Sequence, residues 1–120
     1  MLPHRALTNI DLIKYAKAFK IRHFKGVFMR NNLPITGPWK NESAILNLDD
    51  CNSAGTHWVA YQKRLNDVIY FDSFKDLKPP QELINYLGVG SIKYNYKKYQ
   101  NYNTIICGHL CLKFLAGMRL

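Results

Sequence analysis

The stretch that decides the fold is HWVAYQKRLNDVIYFD, residues 57–72. Two runs rich in β-branched and aromatic residues, His57 to Gln62 and Val68 to Asp72, flank a polar turn. That pattern predicts an antiparallel hairpin, and two registers fit it. In the first, Lys63-Arg64-Leu65-Asn66 is a four-residue loop, so Trp58 faces Phe71, Val59 faces Tyr70 and Ala60 faces Ile69. Such aromatic and β-branched pairs stabilise sheets. This register also sets His57 opposite Asp72, an imidazole beside a carboxylate. In the second, a two-residue loop, Asn66-Asp67, puts Asp72 opposite Tyr61 and carries His57 away along the strand. The sequence leaves both open.

Working outward, Thr8 with Asp11 three later reads as a capping pair for a helix from Thr8 to Lys20. Leu12, Ile13, Ala16 and Phe19 form its apolar stripe. Phe24 to Met29 is a short apolar strand or extended lead-in, and Asn31 to Asn41 is loop. Ala44 to Leu48 predicts a strand. Beyond the hairpin, Pro80 and Gly88 bracket a short helix, Gln81 to Leu87. Ile92 to Tyr96 looks like another strand. From Cys107 to about Met118, Cys107, Leu110, Cys111, Phe114, Leu115 and Met118 share one helical face, which predicts a buried helix. The order predicts an α+β fold with a mostly antiparallel sheet.

The 120 residues fit a single domain, 1–120, with one core. At 48% apolar, the chain is no disordered tail. No run approaches the roughly 18–20 apolar residues of a membrane span, and the N-terminus has no signal-peptide pattern. Seventeen Lys+Arg against eight Asp+Glu give a net charge of +9, which invites a nucleic-acid partner. Three cysteines, Cys51, Cys107 and Cys111, are an odd count that argues against a disulfide framework.

Cys107 precedes Gly108 and opens the last helix. A helix N-terminus carries partial positive charge and unpaired backbone N–H groups, which favour thiolate, the nucleophilic form. Gln100, seven positions earlier, is placed to aim its side-chain NH₂ at a developing oxyanion, with the Cys107 N–H as second donor. Asp72 would orient His57 as in a catalytic triad. Cys111, one turn along the same face, reads as an apolar filler.

Together these motifs carry a resemblance. Gly55-Thr56-His57-Trp58-Val59-Ala60, then Tyr70-Phe71-Asp72-Ser73-Phe74, then Gln100 and Cys107-Gly108-His109-Leu110-Cys111 resemble the adenovirus protease (adenain) family, which includes proteases of virus-like DNA transposons. SUMO-specific proteases share the order His, Asp, Gln, Cys more distantly. The resemblance covers roughly Ile45 to Leu115. It implies a papain-like cysteine protease core with the nucleophile at the start of a buried helix. It implies His57 as general base and acid, Asp72 as its orienting partner, Cys107 as nucleophile and Gln100 in the oxyanion hole. Trp58, beside His57 in the motif, reads as ordinary core more than as a residue packed at the site. The chain departs from the family in carrying Asp72 where adenovirus enzymes have Glu. It has no cysteine between Asp72 and Gln100 to link an activating peptide, and it has only 13 residues after Cys107, as in a minimal or partial form.

The expected substrate is a polypeptide, a viral or transposon structural protein with small residues near the cut. The chemistry requires no cofactor, and DNA is expected as a stimulating polyanion. Expected partners are the substrate and non-specific DNA, with no membrane. The protein is expected to be an intracellular monomer, in the nucleus or a virion. Two other functions compete. One is a ubiquitin- or SUMO-like isopeptidase using the same chemistry. The other is an inactive nucleic-acid module in which Tyr94 and Tyr96 stack on bases while Lys93, Lys97 and Lys98 bind phosphates. A metal site from His57, Cys107, His109 and Cys111 is disfavoured, because 107 and 109 point to different sides of a helix. His4, His23 and His109 read as surface residues.

Overall fold

Thr8 and Asp11 form the capping pair that the sequence predicts. The Thr8 hydroxyl accepts from the Asp11 N–H at 3.2 Å, and the Asp11 carboxylate accepts from the Thr8 N–H at 2.9 Å. They start helix α1, Asn9–Ala18. The structure, a computed structural model, describes residues 2–48, 57–73, 78–88, 91–94 and 106–118. The remaining elements are β1 (Phe24–Met29), β2 (Asn41–Asn47), β3 (Trp58–Arg64), β4 (Asp67–Phe71), α2 (Gln81–Leu87), β5 (Ile92–Tyr94) and α3 (Cys107–Leu115).

The strands form one sheet in the order β1-β2-β3-β4-β5. The α+β class stands, but the sheet is mixed where a mostly antiparallel one was expected. The two inner pairings, β2 with β3 and β3 with β4, are antiparallel. The two outer ones, β1 with β2 and β4 with β5, are parallel, because a loop and helix α2 respectively return the chain to the same end.

Both faces of the sheet are covered. On one, Ile45, Trp58, Ala60 and Phe71 pack with Leu12 and Ala16 of α1 and with Cys111, Leu112 and Leu115 of α3. On the other, Ala44, Leu46, Val59, Tyr61, Val68 and Tyr70 pack with Leu83 and Leu87 of α2. Central strands buried on both faces lose the apolar–polar alternation of a half-exposed strand, and six consecutive residues of β2, Glu42 to Asn47, are buried.

The apolar stripes are narrower than the sequence suggests. Ile13 is 49% exposed and Met118 48% exposed. Ile13 is rotated about 100° from buried Leu12, and Met118 lies beyond the end of α3.

Candidate functional site

The β3–β4 hairpin takes neither register derived from the sequence. Arg64 pairs with Asp67 and Ala60 with Phe71, so the loop is Leu65-Asn66. Leu65 sits at φ +54°, the left-handed conformation that tight hairpin turns require. Relative to the four-residue loop, the pairing is displaced by two residues. A one-residue slip would turn every side chain to the other face, whereas a displacement of two preserves the face. His57, just before β3, and Asp72, just after β4, therefore become diagonal instead of directly opposed neighbours, still within reach of long side chains. The His57 Nε2 and Asp72 Oδ1 atoms are 2.8 Å apart.

Cys107 reaches this pair from α3, which packs against β3. Its Sγ accepts from the Trp58 N–H at 3.5 Å, and the thiol is buried. The sulfur also acts on the His57 ring. Burial opposes charge on His57, but the hydrogen bonds from Asp72 and Cys107 and the charges behind them prevail, raising it from the ordinary 6.5 to about 9. The ring is thus an imidazolium at neutral pH.

The helix that carries Cys107 has no side-chain cap and no acidic residue in its first turn. Its first-turn N–H groups are therefore not consumed by a neighbouring carboxylate. Gly108 lets this helix end approach closely. A Cβ there would lie 3.3 Å from Leu7 Cβ, 3.3 Å from Leu12 Cδ2 and 3.4 Å from Trp58 Cδ1. Trp58 is 9% exposed and donates its indole N–H to the Leu7 carbonyl at 3.1 Å, tying β3 to the segment leading into α1. A cavity of about 600 Å³ opens beside it, lined by Leu7, Val27, Phe28, Met29, Asn47 and Trp58 among others.

The fold has a counterpart among solved structures. The fold is that of a viral protease. The crystal structure of the pS273R protease of ASFV matches with a TM-score of 0.55 and 16% sequence identity, over 98% of this chain and 61% of that one. The chain thus spans about three-fifths of that protease's length. The expected papain-like α+β core is borne out at the level of fold. No family model matches the sequence, and no curated protein matches it.

Among the predicted site residues, His57, Asp72 and Cys107 come together. Gln100 lies outside the described residues, as do Tyr96, Lys97, Lys98 and Cys51. Lys93 and Tyr94 are exposed on edge strand β5, with Tyr94 edge-on to Tyr70 at 6.3 Å. Cys111 is fully buried among apolar side chains, and burial pushes its thiol well up. Among the described residues, no group of three or more His, Cys, Asp or Glu is placed to hold a metal ion.

His109 is a correction. It was expected at the surface, but it is 9% exposed. Its Nε2 donates to the Pro3 carbonyl at 2.7 Å. The segment before α1 covers this side of α3, which a local sequence pattern does not reveal.

Sequence reasoning missed a buried ionic cluster on the other side of the sheet. The β1–β2 pairing skips Lys25, which bulges out of register. Its Nζ lies 3.3 Å from Glu42 Oε1, and Glu42 is 0% exposed. Tyr61 and Tyr86 both donate to Glu42 Oε2, at 2.5 and 2.8 Å. The Trp39 N–H donates to Oε1 at 2.9 Å. Burial first, then Glu42, holds both phenols protonated far above their ordinary range. The available signal was an acidic residue opening a run, Ser43 to Leu48, that is otherwise nearly apolar.

Proposed function

We propose that the chain is a cysteine peptidase with Cys107 as nucleophile, His57 as its acid–base partner and Asp72 as the group that orients His57. One observation carries this reading: a buried thiol at a helix N-terminus acts on an imidazole whose other nitrogen is 2.8 Å from a buried carboxylate. An imidazolium beside sulfur stabilises the negative charge that a nucleophilic thiolate carries. The thiolate attacks the scissile carbonyl carbon, and the carbonyl π electrons move to oxygen. The resulting oxyanion is held by the Cys107 N–H and by Gln100, a role assigned to Gln100 from sequence. His57 Nδ1 gives its proton to the leaving amine as the C–N bond breaks. The same nitrogen then takes a proton from water as its oxygen adds to the thioester carbon, and the C–S bond breaks to release the acid and the Cys107 thiolate.

The cavity beside Trp58 would take part of the substrate, and its Leu7, Val27 and Met29 lining favours an apolar substrate residue there. By the resemblance of its motifs, the enzyme is of adenain type and processes structural proteins of a DNA virus or transposon, in the nucleus or the virion. DNA then serves as a stimulating polyanion for a chain of charge +9.

The test is reaction of the purified protein with a glycine-containing peptide carrying a thiol-directed electrophile, alongside hydrolysis of the matching fluorogenic peptide. Wild type is labelled at Cys107 and cleaves. Cys107→Ala does neither while keeping its circular dichroism. His57→Ala slows labelling by about 10²-fold or more. Cleavage by folded Cys107→Ala sinks the assignment.

A further inference from the structure

From sequence Trp58 reads as ordinary core, and its side chain is indeed buried in the layer between the sheet and helices α1 and α3. Its main chain has a second role that the chemistry above leaves unused. The His57 carbonyl accepts from the Leu48 N–H at 3.1 Å, so His57 turns its carbonyl toward β2. Successive residues of a strand turn their main-chain groups to opposite sides, and Trp58 therefore directs its N–H toward the β4 side. The β3–β4 pairing stops at Ala60 and Phe71, short of Trp58. Helix α3 meets this N–H instead, and Cys107 Sγ accepts from it at 3.5 Å.

The donor is fixed from two sides. The Trp58 indole N–H donates to the Leu7 carbonyl at 3.1 Å. Gly108, next to the sulfur-bearing residue, packs so closely on both that a Cβ there would lie 3.4 Å from Trp58 Cδ1 and 3.3 Å from Leu7 Cβ. Cys107 is 6% exposed, so water has little access to charge on its sulfur. A donor binds an ionised acceptor more strongly than a neutral one, and so favours the charged form.

Resting on the reading of Cys107 as nucleophile, we propose that the Trp58 main-chain N–H is a catalytic donor to Sγ, held in place by the indole bond to Leu7. Before attack it stabilises the negative charge on sulfur. As the C–S bond forms, that charge passes to the carbonyl oxygen and its own donors. When the C–S bond of the thioester breaks, the electron pair returns to Sγ and to the Trp58 N–H. The N–H keeps its hydrogen throughout, and proton transfer stays with His57.

The test is the full chain with the α-hydroxy acid analogue of tryptophan at position 58, which puts an ester oxygen where the N–H was and keeps the indole. Iodoacetamide is small enough to report the sulfur without a substrate, and mass spectrometry follows the label at Cys107 alone. The alkylation rate is expected to reach half its maximum about one pH unit higher than in wild type. An ester also weakens the His57 carbonyl as an acceptor. The control therefore carries the leucine analogue at position 48, which removes the N–H bonded to that carbonyl, and its profile is expected to match wild type. Trp58→Phe keeps the main-chain N–H and loses the tie to Leu7. It should move the profile in the same direction by less, and it serves in place of the ester chain if that chain does not fold. An unmoved profile in the ester chain or in Trp58→Phe, or an equal shift in the position-48 control, overturns the proposal. Peptide cleavage is scored separately. If wild type cleaves no peptide yet the ester shift appears, the donor stands and the peptidase reading fails. If wild type cleaves and the shift is absent, the donor falls and the peptidase reading stands.

Discussion

At His57 two opposing effects meet, and their balance sets the pH behaviour of the site. Burial alone would lower the ring's affinity for a proton, but Asp72 and Cys107 together raise it to about 9. A group whose folded value is raised stabilises the fold fully below its unfolded value, here about 6.5. That contribution is lost as pH rises through about 9. The expected result is a His57 ring titration, followed by long-range ¹H–¹⁵N NMR, with a midpoint near 9. In Asp72→Asn the midpoint moves down toward 6.5, and thermal stability declines less between those two pH values. A wild-type midpoint near 6.5 would contradict a charged His57–Asp72 pair. That His57 and Asp72 share a face was legible in the sequence, because strands alternate with a period of two and the registers differ by even steps. The register was not, because a two-residue turn at Leu65-Asn66 needs φ > 0 at a leucine, which no local preference signals.

At the scale of elements, the prediction concerns how β2 is fixed. Glu42 joins β2 to the β1 bulge through Lys25, to β3 through Tyr61 and to α2 through Tyr86. Lys25 also donates to the Gly37 carbonyl at 2.6 Å, which holds the loop between β1 and β2. Removing one partner of a buried ion pair leaves the other uncompensated, so Glu42→Ala is expected to cost about 3–5 kcal/mol in urea unfolding. Lys25→Met with Glu42→Leu should cost much less than the sum of the two single changes, because the double variant strands no charge. Additive costs would show that the two side chains do not act as a pair. Helix positions were legible because caps and periodicity are local: Thr8 with Asp11 and Pro80 with Gly88 mark their helices correctly. The Glu42 cluster was not, since a charged residue reads as exposed until a bulge and two distant tyrosines are brought to it.

At the scale of the whole molecule, the proposed catalytic groups come from three places that only the sheet unites. His57 and Asp72 stand at the ends of the central hairpin, and Cys107 comes from a helix packed against one face of it. Helix α2 supports the opposite face through Leu83, which is 1% exposed. Leu83→Ala leaves a cavity and is expected to cost about 2–5 kcal/mol, lowering the melting temperature by roughly 10–20 °C. Both layers share β3 and β4, so the loss should appear as one transition. Tryptophan fluorescence in a Trp39→Phe background, which then reports Trp58 on the α3 face, should change together with near-ultraviolet dichroism, which includes Tyr61 and Tyr70 on the α2 face. Below that transition the variant should still label Cys107 with the peptide electrophile at close to the wild-type rate, because no atom near the His57–Asp72–Cys107 group has moved. Two separate transitions would mean that α2 and its face melt independently, and the hairpin would then hold its end residues together without that layer.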